Sequence, residues 1–347
     1  MYRWLLCFRY LRTRYIALAS IISVTLGVAT LIVVNSVMAG FSAEMHDRLH
    51  GLASDILIEC HTSGGMPDPE GHLREIKKVC GDKIAGASVS VHVPSMLGID
   101  FNGQQIARHV NLVGLDPETY NTVSQFGQFL LHPDNKTGVS FDLREDGFAP
   151  EREGFPASGW RYRRARAAYE SALQFERDRI DALKAKQTQA ATSQMASDNA
   201  SATSESTMST AAIPNHDGPT MSPFFSPELL ENSGGEAPKV FDPGQNQYPG
   251  IILGISTCSS KMRDVDDVVR DHYYCRPGDD VRMMFPNASE NTKAVNQKFT
   301  VVDLYESGMS EYDSTFAFCR LDQLQDFRGM IDPQSGTRSV TTIQLKL

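Results

Sequence analysis

From Tyr15 to Ala43 the chain runs 29 residues without a charge, and nothing else restricts its fold as much. The apolar heart, residues 16–38, is 23 residues long. As a helix it would measure about 35 Å, enough to cross a hydrocarbon layer of about 30 Å. Arg3, Arg9, Arg12 and Arg14 precede the run; Glu44 and Asp47 follow it, with Arg48 nearby. Basic residues favour the cytoplasmic side. The sequence therefore predicts a cytoplasmic interfacial segment (1–15), a transmembrane helix (16–43) and some 300 residues on the far side. A cleaved signal sequence is the rival reading. It would carry an apolar region of about 7–15 residues and a small-x-small cleavage site, which Ala39-Gly40-Phe41 does not supply, so a retained anchor is expected.

Ala19, Ser23 and Gly27 recur every four residues. They share one helix face and would admit a close helical neighbour. Thr25, Thr30, Asn35 and Ser36 add polar groups; Asn35 would seek a hydrogen-bond partner in hydrocarbon or sit wet at the outer interface. The pattern suits a bundle, whose other helices must come from other chains or from sequence beyond this one. The next most apolar stretch, 248–260, has 13 residues, too few to span. The mix of rings and arginines from Tyr2 to Arg12 suits a helix lying at an anionic lipid surface.

A net charge of −9 argues against nucleic acid as the main partner. The six cysteines, Cys7, Cys60, Cys80, Cys258, Cys275 and Cys319, form no CxxC pair, which disfavours a zinc ribbon or redox motif. Cys60–Cys80 and Cys258–Cys275 are nameable pairings that spacing alone does not support.

Three blocks follow the helix. The first, 44–132, predicts a helical stalk (40–52), a short strand (55–59) and a helix (69–80). That helix has Leu73, Ile76 and Val79 on one face and Asp68 as cap. Strands are predicted over 87–93, 96–101 and 105–115, with a hairpin at Asn102-Gly103, and then a helix over 117–126. The second block, 133–247, combines a basic helix (160–187) with residues dominated by Ala, Ser, Thr, Pro and Gly. Such composition cannot bury enough apolar surface to offset ordering entropy, so a largely disordered insertion is expected. The third, 248–347, returns to globular patterning: strands at 251–253, 281–285, 299–304, 315–321 and 339–345, an acidic helix over 261–273 with Met262, Val265, Val268 and Val269 inward, and a helix at 321–330. The first and third blocks together predict one α+β domain.

Motifs that carry chemistry are sparse. There is no GxxxxGK[S/T] phosphate loop and no HExxH; Gly254-Ile255-Ser256-Thr257-Cys258 breaks the GxSxG pattern at its last position. His46 and His50 lie four apart beside Glu44 and Asp47, a spacing better explained by solvated side chains than by a metal. Asp264, Asp266, Asp267 and Asp271 lack the glycine and terminal glutamate of a calcium loop. Asn135, Asn199 and Asn287 sit in N-x-S/T sequons. No catalytic, cofactor or metal residue is assigned. The class expected is an anchored binding, coupling or transport protein.

Several stretches, in order, resemble one family. They are Arg9-Tyr10-Leu11-Arg12, then 20–29 (SIISVTLGVA), 35–41 (NSVMAGF), Gly114-Leu115-Asp116-Pro117-Glu118, 250–254 (GIILG), Gly278-Asp279-Asp280-Val281, and 306–314 (ESGMSEYDS). The set is similar to the lipoprotein-releasing ABC transporter permeases (LolC/LolE-like), within the FtsX/MacB-like permease group, over about 9–126 and 248–346. The resemblance implies a MacB-like periplasmic core domain carried on a bacterial inner-membrane helix. It also implies a cytoplasmic ABC ATPase partner, and lipoprotein cargo or a periplasmic carrier handled outside. Family permeases continue through three more membrane helices, so a second permease chain or a further membrane half is expected, this sequence being a fragment or a split product. The family-motif positions Gly114, Asp116, Pro117, Gly308, Met309, Tyr312 and Asp313 are expected to serve turns and helix starts rather than cargo contact. The other readings are a MacB-type efflux or FtsX-type signalling permease and, in a different class, a membrane-anchored extracytoplasmic enzyme or sensor.

Overall fold

The charge-free run lies within a single unbroken helix, α1 (Tyr15–Leu52), 38 residues long. The expected stalk is its continuation. Large apolar side chains from Tyr15 to Phe41 are exposed along it, and Leu18–His46 is long and apolar enough to cross a membrane. Its hydroxyls bond within the helix: Ser20, Thr25 and Thr30 donate to the carbonyls of Ile16, Ile21 and Leu26 at 3.1, 2.8 and 2.7 Å. This i−4 pattern means that Thr25 and Thr30 need no neighbouring helix to be satisfied. The computed structural model describes residues 2, 9, 15–52, 54–147, 155–198, 241–263, 266–267, 269–289, 291–333 and 335–347. The interfacial segment around Trp4, the His50 side chain, Val265, Val268, Asp264 and the low-complexity stretch 199–240 lie outside the described residues.

After α1 come β1 (Ile56–Glu59), α2 (Pro69–Cys80), β2 (Gly86–Phe101), β3 (Gln104–Leu115), α3 (Pro117–Tyr120), α4 (Pro133–Thr137) and α5 (Gly159–Asp198). Then follow β4 (Gly250–Gly254), α6 (Ile255–Cys258), β5 (Ser259–Arg263), β6 (Val269–Tyr273), β7 (Asp280–Pro286), β8 (Ala294–Tyr305), α7 (Ser310–Thr315), β9 (Phe316–Arg320), α8 (Leu321–Arg328) and β10 (Thr342–Lys346). Eight strands form one mixed sheet in the order β1-β10-β2-β3-β9-β4-β8-β7. Met96, Leu97 and Gly98 of β2 also pair with Met284, Met283 and Arg282 of β7. Six strands thereby close into a ring, and β10 and β1 extend it from the first half of β2. Alternation sorts the side chains: Val91, Val93, Leu97 and Ile99 join Val281, Met283 and Phe285 in one core. A second core lies on the opposite face, built on Val113, Leu115, Ile252 and Phe318 and covered by Tyr120, Phe126 and Phe141.

Local chemistry explains the elements. Asn102 (φ 50°) and Gly103 (φ 79°) take the left-handed angles that a two-residue hairpin matching strand twist requires. β2 runs on through Pro94, where two strands are expected. Its other edge pairs with β10 up to Ser90 and with β7 from Met96, so the proline falls between the two partners, where a missing N–H is tolerated. Asp68 caps α2, accepting from Gly71 N at 3.0 Å. Leu73 and Ile76 pack against the ring core, but Val79 is 86% exposed. Three-residue steps drift about 60° each on a helix of 3.6 residues per turn, and two steps carry Val79 off the buried face. Asp55 joins the domain's two ends, its carboxylate accepting from Lys346 Nζ at 2.9 Å and Leu347 N at 3.0 Å.

Three expectations are corrected. The helix over 261–273 is instead the antiparallel pair β5–β6, with Met262 and Val269 each 55% exposed. Val269 and Tyr273 favour strand, Asp267 takes a left-handed turn (φ 61°), and Arg263 bonds Asp267 at 2.9 Å. The helix over 117–126 stops at Tyr120 and gives way to a 3-10 turn, Phe126–Phe129. Residues 133–147 and 155–160 belong with the sheet rather than with an insertion. The chain divides into one unit of 1–160 with 247–347 and another of 161–246; Phe141 and Leu143 sit in the second core, and Gln247 bridges their backbone, accepting from Leu143 N at 2.8 Å. In the 161–246 unit, α5 carries the solvated pairs Arg166–Glu170 and Arg179–Glu176. Arg163, 3% exposed, donates to the carbonyls of Pro243 and Asn246.

Candidate functional site

Where the extension meets the ring, one sheet face is left open, and a cleft of about 380 Å³ forms there. Its floor crosses five adjacent strands. Leu57 and Glu59 come from β1, Gln344 from β10, His92 from β2, Asn111 and Val113 from β3, and Phe316 and Phe318 from β9. Register brings them together: Leu57 pairs with Gln344, His92 with Val113, and Val113 with Phe318. Tyr120, Phe126, Tyr305 and Tyr312 complete the lining. Ser54, two residues beyond α1, stands at the rim. Phe126 lies 4.3 Å from Phe318 between ring centroids, and Tyr312 lies 5.1 Å from Phe316, so the aromatic lining is packed and preformed.

The polar groups are few and tethered. His92 Nε2 lies 3.1 Å from Ser90 Oγ, and Gln344 Nε2 donates to that oxygen at 3.3 Å. Burial holds His92 below the ordinary imidazole range, against the pull of the nearby Glu59 carboxylate. The Tyr305 hydroxyl donates to the Tyr312 carbonyl, with the Phe316 carbonyl 3.2 Å away. Burial raises both phenols, Tyr120 to about 12 and Tyr305 further. An apolar aromatic wall with a small set of fixed polar groups is the usual make-up of a ligand cleft.

α1 meets the domain beside this cleft. The Gly51 carbonyl accepts from Gln125 N at 2.8 Å and Ser124 Oγ at 3.3 Å. The last turn of the apolar helix is thus fixed to the segment that carries Phe126.

A buried polar cluster lies on the second-core side. A register shift between β4 and β8 near Ile251/Ile252 sets Asp303 against α4. The carboxylate accepts from Asn135 Nδ2 at 2.8 Å, Leu304 N at 2.8 Å and His132 N at 3.3 Å. Burial nevertheless raises its pKa to about 7, opposed by those bonds and by the Arg144 charge. Asn135, fully buried here, is unreachable for a glycan despite its sequon.

The expected site residues divide. Ala19, Ser23, Gly27 and Asn35 all stand exposed on α1, and nothing lies within 4 Å of the place a Cβ on Gly27 would occupy. The family-motif positions fall instead at turns, a helix cap and a close helix–strand contact. A Cβ on Gly114 would come within 2.9 Å of Leu324, so its glycine allows α8 to close on β3. Asp116 caps α3, accepting from Glu118 N and Thr119 Oγ1, and Pro117 opens that helix. Gly308 (φ 76°) makes a turn. Asp313 closes it by accepting from Ser307 N and Oγ at 2.9 and 2.8 Å, while Met309 N donates to Ser307 Oγ. Only Tyr312 enters the cleft. The sequence reading missed His92, Phe126, Phe316 and Phe318. The alternation of Phe316 and Phe318 was the available signal; which sheet face they share depends on pairing that no local pattern encodes. Compared with known proteins, the chain matches no protein-family model and no curated protein.

Proposed function

We propose that this chain is a membrane-anchored, non-catalytic permease subunit of an ABC transporter of lipoprotein-releasing type, or its N-terminal part. In this reading α1 crosses the bacterial inner membrane with its N-terminus in the cytoplasm. The sheet domain lies in the periplasm, and a partner ATPase drives it. One observation carries the reading: an exposed apolar helix of spanning length is hydrogen-bonded at Gly51 to the segment lining an aromatic cleft. Burying a single such side chain is worth about 1.5–3 kcal/mol, so the exposed rows of α1 call for an apolar surrounding. Rocking of that helix would move Phe126 and its cleft directly. The ordered family motifs add the transporter class. Affinity purification from detergent-solubilised native membranes tests it: a protein bearing a GxxxxGK[S/T] loop and a second permease chain should accompany this one, and recovery of the chain without either overturns the proposal. ATP hydrolysis is expected from the partner, not from this chain alone.

A second reading, an anchored extracytoplasmic hydrolase, draws on Ser90, His92 and Glu59, which lie at or beside the cleft. Ser90 is 0% exposed and already bonded by Gln344, a poor situation for a nucleophile. Labelling of Ser90 by a serine-directed fluorophosphonate would favour that reading; no labelling is expected.

A further inference from the structure

The base of the β5–β6 hairpin carries a chemical feature that transport does not use. Cys258 ends α6 and Cys275 lies two residues past β6. The ladder pairs Ser259 with Tyr273. One step beyond, Tyr274 N donates to the Cys258 carbonyl at 2.8 Å, and Cys275 N lies 3.4 Å from the same oxygen. The two cysteines thus stand on facing segments, one residue out of register, where the hairpin enters the ring core. They are 0% and 1% exposed and belong to one apolar cluster, and the neighbouring Cys258 thiol is the first cause that raises the Cys275 pKa. Cys60 is half-buried and Cys80 exposed.

We propose that Cys258 and Cys275 close an intrachain disulfide that staples the base of this hairpin. A disulfide needs facing cysteines whose side chains converge, and here both side chains enter the one apolar cluster from segments joined through the Cys258 carbonyl. Among the described residues β5 and β6 pair only with each other, and an isolated two-stranded ribbon is marginal in water; a covalent tie at its base restricts the loop between the two cysteines. The oxidation balances by thiol–disulfide exchange. A thiolate from one cysteine attacks a disulfide oxidant, breaking its S–S bond: one oxidant sulfur leaves as a thiolate and the other is held in a mixed disulfide. The second cysteine thiolate then attacks that mixed disulfide and expels the other oxidant sulfur, so the oxidant leaves as two thiol groups carrying the two electrons, and the two cysteine protons pass to those departing thiolates. The partner thiol and burial push the Cys275 thiol well above its ordinary range, so thiolate is scarce once the core has closed. Exchange is therefore fast during refolding and slow in the folded, reduced chain.

The test uses the full chain in detergent, refolded with glutathione and glutathione disulfide. Trypsin cuts after Lys261, Arg263 and Arg270, between the two cysteines, so a bridge survives as a linked peptide pair. Expected are a Cys258–Cys275 linked pair and four alkylatable thiols under denaturant; six thiols, or a bridge elsewhere, overturn the proposal. Refolding with a phosphine reductant should lower the wild-type Tm by roughly 5–10 °C. It should leave C258A/C275A unmoved, whereas mere packing of two thiols predicts the same Tm under both treatments.

Discussion

Asp303 shows how one buried carboxyl sets a pH dependence. Its native pKa of about 7 stands above the ordinary 3.8, so between those values the folded state holds a proton that the unfolded chain has released. The stability it contributes is complete below pH 3.8 and drains away as pH rises through 7. A shift of that size corresponds to roughly 4 kcal/mol. Asp303→Asn keeps an acceptor oxygen for the surrounding N–H donors and removes the titration. In urea unfolding at pH 5 and pH 8, the wild type should lose more stability than the variant over that interval. Equal slopes would mean that Asp303 is not the source. None of this is written locally in the sequence: Asp303 sits in a run that reads as an ordinary strand, and only the register shift beside Ile252 turns it toward Asn135.

Among the elements, α2 offers the cleanest check. Asp68 holds a left-handed backbone (φ 50°) and caps Gly71 N. Asp68→Ala removes the bond and places a residue unsuited to that angle; a loss of about 1–2 kcal/mol is expected in thermal or urea unfolding. Asp68→Asn, which tolerates the angle and retains an acceptor, should recover most of it. A variant pair of equal stability would refute the capping account. This helix was legible from Asp68-Pro69 and the Leu73/Ile76 spacing, as was the Asn102-Gly103 hairpin, because both signals are local. The 261–273 segment was not. Its valines fit a helix period, and its turn is made by Asp267 without a glycine, so periodicity alone chose wrongly. The cleft was illegible for a further reason: it needs β1, β2, β3, β9 and β10 side by side, and β10 lies some 250 residues from β2.

For the whole molecule, the decisive question is what surrounds α1. Removing residues 16–43 should move the chain from the pellet of alkaline-washed membranes to the supernatant, while the intact chain stays with the lipid. Release of the intact chain by that wash would remove the basis for a spanning helix. The sequence made this segment plain, because a charge-free run of 29 residues needs no tertiary information. The small-residue face of Ala19, Ser23 and Gly27 was equally plain, and the described residues place nothing against it.

The pairing of β1 with β10 has a mechanical corollary. Ile56 lies opposite Leu345 and Glu59 opposite Thr342, so the start of β1, just after α1, and the finish of β10 meet at one corner. A pull that parted Asp55 from Leu347 would peel those four pairs apart in succession, like a zip fastener. A pull shared by both would load the pairs together and tow the entire domain as a single piece.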